Sequence, residues 1–297
     1  MKEKILTSLI EKVKKEYPVS DENIKEAIKK EVKKEKNFGK IFELDNLHFE
    51  KNKNYKELLK RTKREIYHNL RQYDRADVLD KEKILLEIRN EYKKNSFSEK
   101  CINLHLELLK THVSTVERTE NFLEFYSEIF KITGKPKKIL DIGSGINSFS
   151  IPFMKLDNPL YVGIEKKPKD VILTKKYLEL IKDNLQTESR IIQYDLFKLK
   201  DNLFELSNLV SEQFDCAFLL KVIPIAERFE RGISNFVLKW IKAKWIIISC
   251  SRVSMVKGKD IEFRETSQIK RIIKENNLKI EKTLYFKNEV VFITVKN

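Results

Sequence analysis

The sequence contains little cysteine and little histidine. Its three cysteines, Cys101, Cys216 and Cys250, and its four histidines show none of the paired spacings that zinc ligands have. The small, odd and widely spaced set of cysteines also excludes a disulfide framework and is typical of a reducing compartment. We therefore expect a cytoplasmic protein without a structural metal.

Long apolar runs are absent as well. The first residues, Met1–Thr7, alternate charged and apolar side chains, and no window reaches the roughly 18 apolar residues that a membrane-spanning helix needs. Hydrophobic residues nevertheless make up 41% of the 297 residues, which is too much for a disordered chain. We expect no signal peptide, no membrane partner and about two packed domains.

Positive charge exceeds negative charge, with 60 Lys and Arg against 45 Asp and Glu. A large part of the excess lies in residues 51–75, where only three acidic residues accompany nine basic ones: Lys51, Lys53, Lys56, Lys60, Arg61, Lys63, Arg64, Arg71 and Arg75. The spacing of the apolar residues in this segment predicts one buried helix stripe, formed by Leu59, Ile66, Leu70 and Tyr73. The basic faces are then either a solvated surface or a surface for a polyanion such as structured RNA.

Residues 1–134 show helical periodicity. Ser20 and Ser98 stand where N-caps belong, before amphipathic segments. Ser114-Thr-Val-Glu117 has the residues of a capping box, which predicts a helix from there to about Phe130. We therefore predict an all-helical domain over residues 1–134.

After Pro136 the pattern changes to short apolar runs separated by helical stretches near 168–184, 201–212, 229–242 and 262–276. Seven strands are predicted, at Lys138–Ile142, Leu160–Ile164, Arg190–Tyr194, Asp215–Leu220, Trp245–Cys250, Lys279–Tyr285 and Val290–Val295. Such alternation is typical of a parallel sheet with crossover helices, here closed by an antiparallel pair. The predicted fold class is α/β, with a seven-stranded Rossmann-like sheet over residues 135–297.

Two glycines, Gly143 and Gly145, follow the first predicted strand directly. Glycine there lets the backbone turn tightly and approach a ligand at the carboxyl edge of the sheet. A dinucleotide fold would have a third glycine where this chain has Ser148. The pair therefore indicates either another nucleotide-like cofactor or an ordinary strand-to-helix turn.

Carboxylates stand at the ends of the next two predicted strands. Glu165 is placed to accept the hydroxyls of a ribose, although a solvated loop carboxylate is the alternative. Tyr194-Asp195-Leu196 offers a carboxylate and an apolar side chain to an adenine. Together with Asp141-x-Gly-x-Gly, these residues resemble the seven-stranded class of S-adenosylmethionine-dependent methyltransferases.

A narrower resemblance covers the chain from about residue 50 to its end. It is carried by Leu108–Arg118 with Phe125-Tyr126, Asp141–Gly145, Leu219-Leu-Lys-Val-Ile-Pro224 and Asn288–Thr294. These segments are similar to those of the aminoglycoside-resistance 16S rRNA (guanine-N7) methyltransferases. The loop Cys250–Gly258 departs from that family, which generally has Phe-Pro there, followed by a basic residue.

The resemblance implies roles for individual residues. The implied residues for S-adenosyl-L-methionine are Arg118, Asp141, Gly143, Gly145, Glu165, Tyr194, Asp195, Leu196 and Leu220. Arg118 would lie near the cofactor's carboxylate, and Lys221 near the methyl group and the incoming base. The RNA-binding residues would be Lys60, Arg61, Arg64, Arg71, Lys221 and Arg252. The alternatives are a surface salt bridge for Arg118, a surface lysine for Lys221 and a packed histidine for His112.

The leading hypothesis is an S-adenosylmethionine-dependent enzyme that methylates guanine N7 in structured RNA, most simply 16S rRNA of the 30S subunit. Guanine N7 has a free lone pair, so the reaction needs positioning rather than a catalytic acid or base. The alternatives are a tRNA guanine-N7 methyltransferase, an RNA cytosine-C5 methyltransferase that uses Cys250 as nucleophile, and a non-enzymatic RNA-binding protein. We expect a monomer.

Overall fold

A computed structural model describes residues 2–17, 19–43, 48–72, 81–94, 98–185, 188–199, 203–254 and 259–296. The chain divides into two compact units, Met1–Tyr73 and Asp74–Asn297. Among the described residues, no helix has both the length and the apolar composition that crossing a membrane requires.

The described part of the first unit is helical. Its helices are α1 (Lys2–Lys14), α2 (Asp21–Lys34), α3 (Lys36–Gly39) and α4 (Lys53–Gln72), with 3-10 turns at Lys40–Glu43 and Phe49–Lys51. Ser20 caps α2 as predicted, because its side chain accepts a hydrogen bond from the backbone N–H of Asn23 at 3.3 Å. The core of this unit includes Leu9, Ile24, Ile28 and Leu58.

The buried face of α4 differs from the predicted stripe. Over residues 53–67, where the side chains of α4 are described, the buried ones are Tyr55, Leu58, Thr62 and Ile66, whereas Leu59 is only half-buried. Compared with the predicted stripe, the buried face is turned towards Tyr55, because the ring of Tyr55 packs edge-on against Phe49 and its hydroxyl forms a hydrogen bond with Ser8 at 2.8 Å. Of the other predicted members, the side chain of Leu70 and all of Tyr73 lie outside the described residues.

The second unit contains one seven-stranded sheet surrounded by helices. Its strands are β1 (Lys138–Ile142), β2 (Leu160–Glu165), β3 (Arg190–Gln193), β4 (Phe214–Leu220), β5 (Ala243–Ser251), β6 (Leu278–Tyr285) and β7 (Glu289–Lys296). The strand order is β3-β2-β1-β4-β5-β7-β6, with β7 antiparallel to both β5 and β6 and the other pairs parallel. All seven predicted strands, the parallel sheet and the closing antiparallel pair are thereby confirmed.

The helices of the second unit lie before and between the strands. They are α5 (Lys81–Tyr92), α6 (Glu99–Lys110), α7 (Val113–Val116), α8 (Phe122–Thr133), α9 (Ile151–Met154), α10 (Pro168–Leu185), α11 (Leu203–Leu209), α12 (Val222–Phe229), α13 (Ile233–Trp240) and α14 (Glu262–Glu275). Ser98 caps α6 as predicted, accepting from the backbone N–H of Cys101 at 3.1 Å. The predicted helix near 229–242 is instead α13, with the unpredicted α12 before it. Gly232, at φ +85°, separates the two.

Alternate strand residues belong to two different cores. Leu108 of α6 and Tyr126 of α8 share one core with Phe218 of β4, whereas the adjacent Leu219 belongs to the core on the other face. The helices from α5 to α8 therefore cover one face of the sheet. For this reason the division between units lies at residues 73 and 74, whereas the change in periodicity predicted it at 134 and 135. That change marks only the passage from helix to strand.

The single predicted helix from Ser114 to Phe130 is interrupted. Helix α7 is one turn long and its N-cap is His112, whose Nδ1 accepts from the backbone N–H of Ser114 at 3.3 Å. Helix α8 starts anew after Asn121. The prediction of a capping box at Ser114–Glu117 was therefore wrong. The interruption places Glu117 and Arg118 in the turn between the two helices, where their side chains are available for contacts with distant strands.

A buried histidine predicts how stability depends on pH. His105 lies between the rings of Tyr92 and Tyr177, and its Nδ1–H donates to the carbonyl of Cys101 at 2.8 Å. Burial lowers the pKa of His105 to about 4. Since an unfolded histidine has a pKa near 6.5, the unfolded chain binds the proton first, so stability is lost as pH falls from about 6.5 towards 4.

Between pH 7.5 and pH 5, protonation of His105 in the unfolded chain should lower the free energy of unfolding by about 2 kcal/mol. We therefore expect the decrease in stability over this range to be about 2 kcal/mol smaller in His105→Phe. The measurement is denaturant unfolding followed by tryptophan fluorescence, because both tryptophans, Trp240 and Trp245, belong to the second unit. Tyr177→Phe, which changes the same core without removing a group that titrates between pH 5 and pH 7.5, is the matched control. An unchanged pH dependence in His105→Phe would contradict the assignment.

Candidate functional site

The carboxyl edge of the sheet collects most of the predicted site residues. The strand order runs outward from β1 to β2 and β3 on one side and from β4 to β5 on the other. Loops that leave β1 and β4 therefore diverge to opposite faces, which opens a crevice between them at this edge. The glycine loop follows β1, Glu165 ends β2, Tyr194 follows β3, and Lys221 follows β4.

The glycine loop is held in a conformation that favours glycine. Gly143 has φ +65° and Gly145 has φ +52°. A Cβ on Gly143 would lie 2.8 Å from Cγ2 of Val222, whereas a Cβ on Gly145 would lie 3.6 Å from the nearest ring atom of His112. Glycine is therefore required at position 143 by both the positive φ and the close approach of α12, and at position 145 by the positive φ alone.

Glu165 joins the ends of two strands. Its Oε2 accepts from the backbone N–H of Gly145 at 2.9 Å, and its Oε1 accepts from the N–H of Lys167 at 2.8 Å. The side chain is buried, at 8% exposure, so the alternative of a solvated loop carboxylate is excluded. Each carboxylate oxygen has a further lone pair, so Glu165 retains the capacity to accept hydroxyl groups.

The segment after β3 forms a short turn at the same edge. Asp195 caps the 3-10 turn Leu196–Lys198 by accepting from the N–H of Phe197 at 3.1 Å. Tyr194 and Leu220 are buried and Leu196 is half-buried. The turn thus begins with a carboxylate followed by an apolar side chain, and the role of both towards an adenine stays a prediction.

Asp141 lies beneath the glycine loop. Its Oδ2 accepts from the hydroxyl of Tyr161 at 2.6 Å and from Nδ2 of Asn147 at 2.8 Å. Burial raises the pKa of this carboxyl to about 6, and the two hydrogen bonds oppose that rise. Asp141 therefore fixes the loop from within the fold, and any effect on a ligand passes through the loop.

Arg118 is buried rather than exposed in a surface salt bridge. Its Nε and Nη2 donate to the two carboxylate oxygens of Glu289, each at 2.7 Å, and its guanidinium lies 5.0 Å from the ring centre of Phe125. Burial alone would raise the pKa of Glu289, but the charges of Arg118 and Lys221 lower it, so the carboxylate stays ionised. Nη1 of Arg118 forms no hydrogen bond with any described residue.

Lys221 is buried as well, at 4% exposure, which excludes a surface lysine. Its backbone is in the left-handed region, at φ +63°, and its N–H donates to the carbonyl and the hydroxyl of Ser249 at 3.2 and 3.0 Å. The ammonium group pairs with Glu117 and lies 3.6 Å from Oε2 of Glu289. Such a strained backbone position at a crevice is typical of a functional residue.

Sequence reasoning missed Glu117 and Glu289 as site residues. Glu117 had been assigned to a capping box, and Glu289 had been counted only within the resembling segment Asn288–Thr294, just before the predicted strand Val290–Val295. One signal was present: Glu289 directly precedes the apolar run Val290–Ile293, and a charge buried at the start of such a strand requires a cationic partner.

The predicted RNA-binding residues are distributed over both units. In the first unit, Lys60 and Arg64 are exposed on α4, and Arg61 pairs with Glu57 at 3.2 Å. Arg71 belongs to α4, but its side chain lies outside the described residues. In the second unit, Arg252 pairs with Glu262 at 2.6 Å and donates to the carbonyl of Phe286 at 3.0 Å, so it holds its loop against the turn between β6 and β7.

Cys250 does not have the environment of a nucleophile. The side chain is fully buried in the core on one face of the sheet, and burial raises the pKa of its thiol to about 12. A thiolate is the reactive form of cysteine, and this thiol stays protonated at neutral pH.

Comparison with known proteins adds a family match. The family model described as ribosomal RNA methyltransferase (FmrO) matches residues 103–293. The 16S rRNA (guanine(1405)-N(7))-methyltransferase of Proteus mirabilis is 29% identical over 192 residues, and that of Micromonospora echinospora is 26% identical over 190. Each alignment covers 63% of this chain, and the chain spans 64% of the length of each of these curated relatives.

Solved structures share the fold. The 16S rRNA methyltransferase RmtF, in complex with S-adenosyl-L-homocysteine, has a TM-score of 0.61 at 17% identity, covering 100% of this chain and 98% of that one. The 16S rRNA methylase ArmA has a TM-score of 0.52 at 22% identity, covering 74% of this chain and 99% of that one.

The geometry of the glycine loop makes a prediction about stability. We expect Gly145→Ala to cost about 1 kcal/mol, because alanine is strained at positive φ. Gly143→Ala should cost roughly 1 to 3 kcal/mol more, because its Cβ also meets Val222. The measurement is denaturant unfolding followed by tryptophan fluorescence. Equal losses in the two variants would show that the approach of α12 to the loop imposes no constraint.

Proposed function

The chain belongs to the ribosomal RNA methyltransferase (FmrO) family, and from this premise we propose that it methylates guanine N7 in 16S rRNA of the 30S subunit, with S-adenosyl-L-methionine as methyl donor. One observation carries the proposal: the matched region, residues 103–293, contains Arg118, the glycine loop and Lys221 together at one edge of the sheet. The names of the two curated relatives support the acceptor atom and the RNA.

The residues at this edge fit the proposed cofactor chemically. Glu165 has lone pairs for the two ribose hydroxyls, and Leu196 and Leu220 offer apolar surface to an adenine. Nη1 of Arg118 is available for a carboxylate. Of the carboxylates at this edge, Glu165 is hydrogen-bonded only to backbone N–H groups and pairs with no cation among the described residues, so its negative charge would favour a positively charged cofactor.

Methyl transfer to guanine N7 would require the protein mainly to position the base against the cofactor. When bound, the cofactor supplies a methyl group on a positively charged sulfur. Guanine N7 would accept that methyl group on its own lone pair, so no residue of this chain would have to remove a proton. Each carboxylate described above is already engaged with an in-chain N–H, hydroxyl or cation, which suits a site without a general base. Lys221 would orient the incoming base.

The other hypotheses fit less well. A cytosine-C5 methyltransferase needs a reactive thiolate, and the buried, protonated Cys250 does not supply one. A tRNA guanine-N7 methyltransferase would use the same chemistry, but the curated relatives described above are named for 16S rRNA. A non-enzymatic RNA-binding protein would have no need of the strained backbone and buried cation at Lys221.

The first unit would contribute the docking surface for RNA. Lys60 and Arg64 project from α4 into solvent, and Arg61 lies on the same helix over the ring of Phe38, 5.1 Å from its centre. Cations in such an array neutralise backbone phosphates and release bound counterions. We propose that the protein acts on the 30S subunit as a monomer in the cytoplasm.

The decisive assay is methyl transfer from labelled S-adenosyl-L-methionine to purified 30S subunits and, separately, to bulk tRNA. We expect label in 16S rRNA, recovered as N7-methylguanosine on nucleoside analysis, because the acceptor atom and the RNA are those of the relatives. N7-methylguanosine found only in tRNA would contradict the rRNA assignment, and 5-methylcytidine would contradict the acceptor atom. Transfer to neither RNA would overturn the proposed activity.

Charge reversal on α4 tests the docking surface. We expect Lys60→Glu, Arg61→Glu and Arg64→Glu together to weaken binding to 30S subunits steeply. The dependence of log affinity on log salt concentration should become shallower, with the magnitude of its slope falling by about three, because three phosphate contacts are lost. The matched control is Lys270→Glu, Arg271→Glu and Lys274→Glu on α14, which makes the same charge change and also contains an arginine paired with a glutamate four residues away. Equal weakening in both triple variants would point to net charge rather than to α4.

A further inference from the structure

The carboxylate of Glu289 contacts both buried cations of the site, Arg118 and Lys221. Glu289 begins β7, at the carboxyl edge of the sheet, and is 2% exposed. Both its oxygens accept from Arg118 at 2.7 Å, Lys221 lies 3.6 Å from Oε2, and the hydroxyl of Ser249 donates to Oε1. One carboxylate thus contacts side chains from the α7–α8 turn, from the end of β4 and from β5.

Glu117 is the natural comparison, because it pairs with only one of the two cations. Its carboxylate pairs with Lys221 and is 17% exposed. Among the described residues, Arg118 forms an ion pair with Glu289 and with no other carboxylate. Removing the charge of Glu117 therefore disturbs Lys221 alone, whereas removing that of Glu289 disturbs both cations.

We propose that Glu289 is a positioning residue that orients Arg118 for the cofactor and Lys221 for the incoming base. The inference deepens the proposed function and rests on it. Arg118 forms a bidentate salt bridge with Glu289 through Nε and Nη2. This contact fixes the plane of the guanidinium and thereby the direction of Nη1. The same carboxylate sets the position of the Lys221 ammonium, since that group lies between Glu117 and Glu289.

A purely structural ion pair would look the same in the fold, so the test separates stability from function. Glu289→Gln keeps the shape but removes the charge, and its amide N–H₂ group faces a donor that it cannot accept from. We expect its Kd for S-adenosyl-L-methionine, measured by calorimetry without RNA, to rise about tenfold or more. We also expect kcat on 30S subunits at saturating cofactor to fall at least about tenfold.

Glu117→Gln provides the contrast within the site. We expect its kcat to fall while its Kd for S-adenosyl-L-methionine stays within about twofold of that of the unaltered chain, because Arg118 keeps its partner. Glu265→Gln provides the contrast outside the site. Glu265 is a buried carboxylate that also pairs with two arginines, Arg228 and Arg264. Its variant should lose stability but keep both constants.

The outcomes are separable. Unchanged Kd and kcat in Glu289→Gln would overturn the inference, as would losses that Glu265→Gln reproduces at an equal drop in Tm. Should Glu289→Gln not fold, Ser249→Ala removes one hydrogen bond to the same carboxylate and leaves every charge in place. It also removes the hydroxyl that accepts from the Lys221 N–H, which keeps the carbonyl of Ser249 as acceptor, so the Kd for S-adenosyl-L-methionine is the readout that reports on Glu289 through Arg118, and we expect it to rise. A Kd in Ser249→Ala that matches that of the unaltered chain would then overturn the inference. Failure of the unaltered chain to bind S-adenosyl-L-methionine would instead contradict the proposed function, and the inference with it.

Discussion

The arrangement of the candidate site depends on the compensation of two buried positive charges. Arg118 and Lys221 are 5% and 4% exposed, and burying either without an anionic partner would cost several kcal/mol. Glu289 supplies that partner for both, with Glu117 as a second one for Lys221. Because these residues come from the α7–α8 turn, β4 and β7, the charges bring together elements that are far apart in the sequence, and the edge of the sheet acquires its shape from them.

The parts of the fold that the sequence predicted are those with local causes. The strands β1 to β7 were found from short apolar runs, and Ser20 and Ser98 were found from cap spacing. The pairing of Arg118 with Glu289 joins residues 171 positions apart and leaves no local pattern. Local patterns also misled in two places. The spacing of Ser114 and Glu117 imitated a capping box although Glu117 pairs with Lys221. In α4 the predicted spacing chose Leu59, whereas the buried face uses its neighbour Leu58 together with Tyr55 and Thr62.

The positions of the candidate site residues were easiest to predict at strand ends. Gly143 and Gly145 follow β1 and Glu165 ends β2, so that locating the strands also located them. The alternatives for Arg118 and Lys221 could not be decided from the sequence, because a cation on a turn looks the same whether its partner is solvent or a strand from the other end of the chain. Burial excludes the surface alternatives for both residues. The binding roles of these residues stay predictions, and the calorimetric comparison of Glu117 and Glu289 addresses them directly.

The antiparallel direction of β7 has a practical consequence for handling this protein. Ser251 at the end of β5 pairs with Glu289 at the start of β7, and Trp245 pairs with Val295. The strand therefore begins at the crevice and leads away from it, so that Lys296 lies at the opposite edge of the sheet. A purification tag or a fluorophore attached beyond Lys296 would emerge at the edge of the sheet opposite the candidate site. A nonsense mutation before Glu289 would remove, together with β7, the carboxylate that pairs with both Arg118 and Lys221.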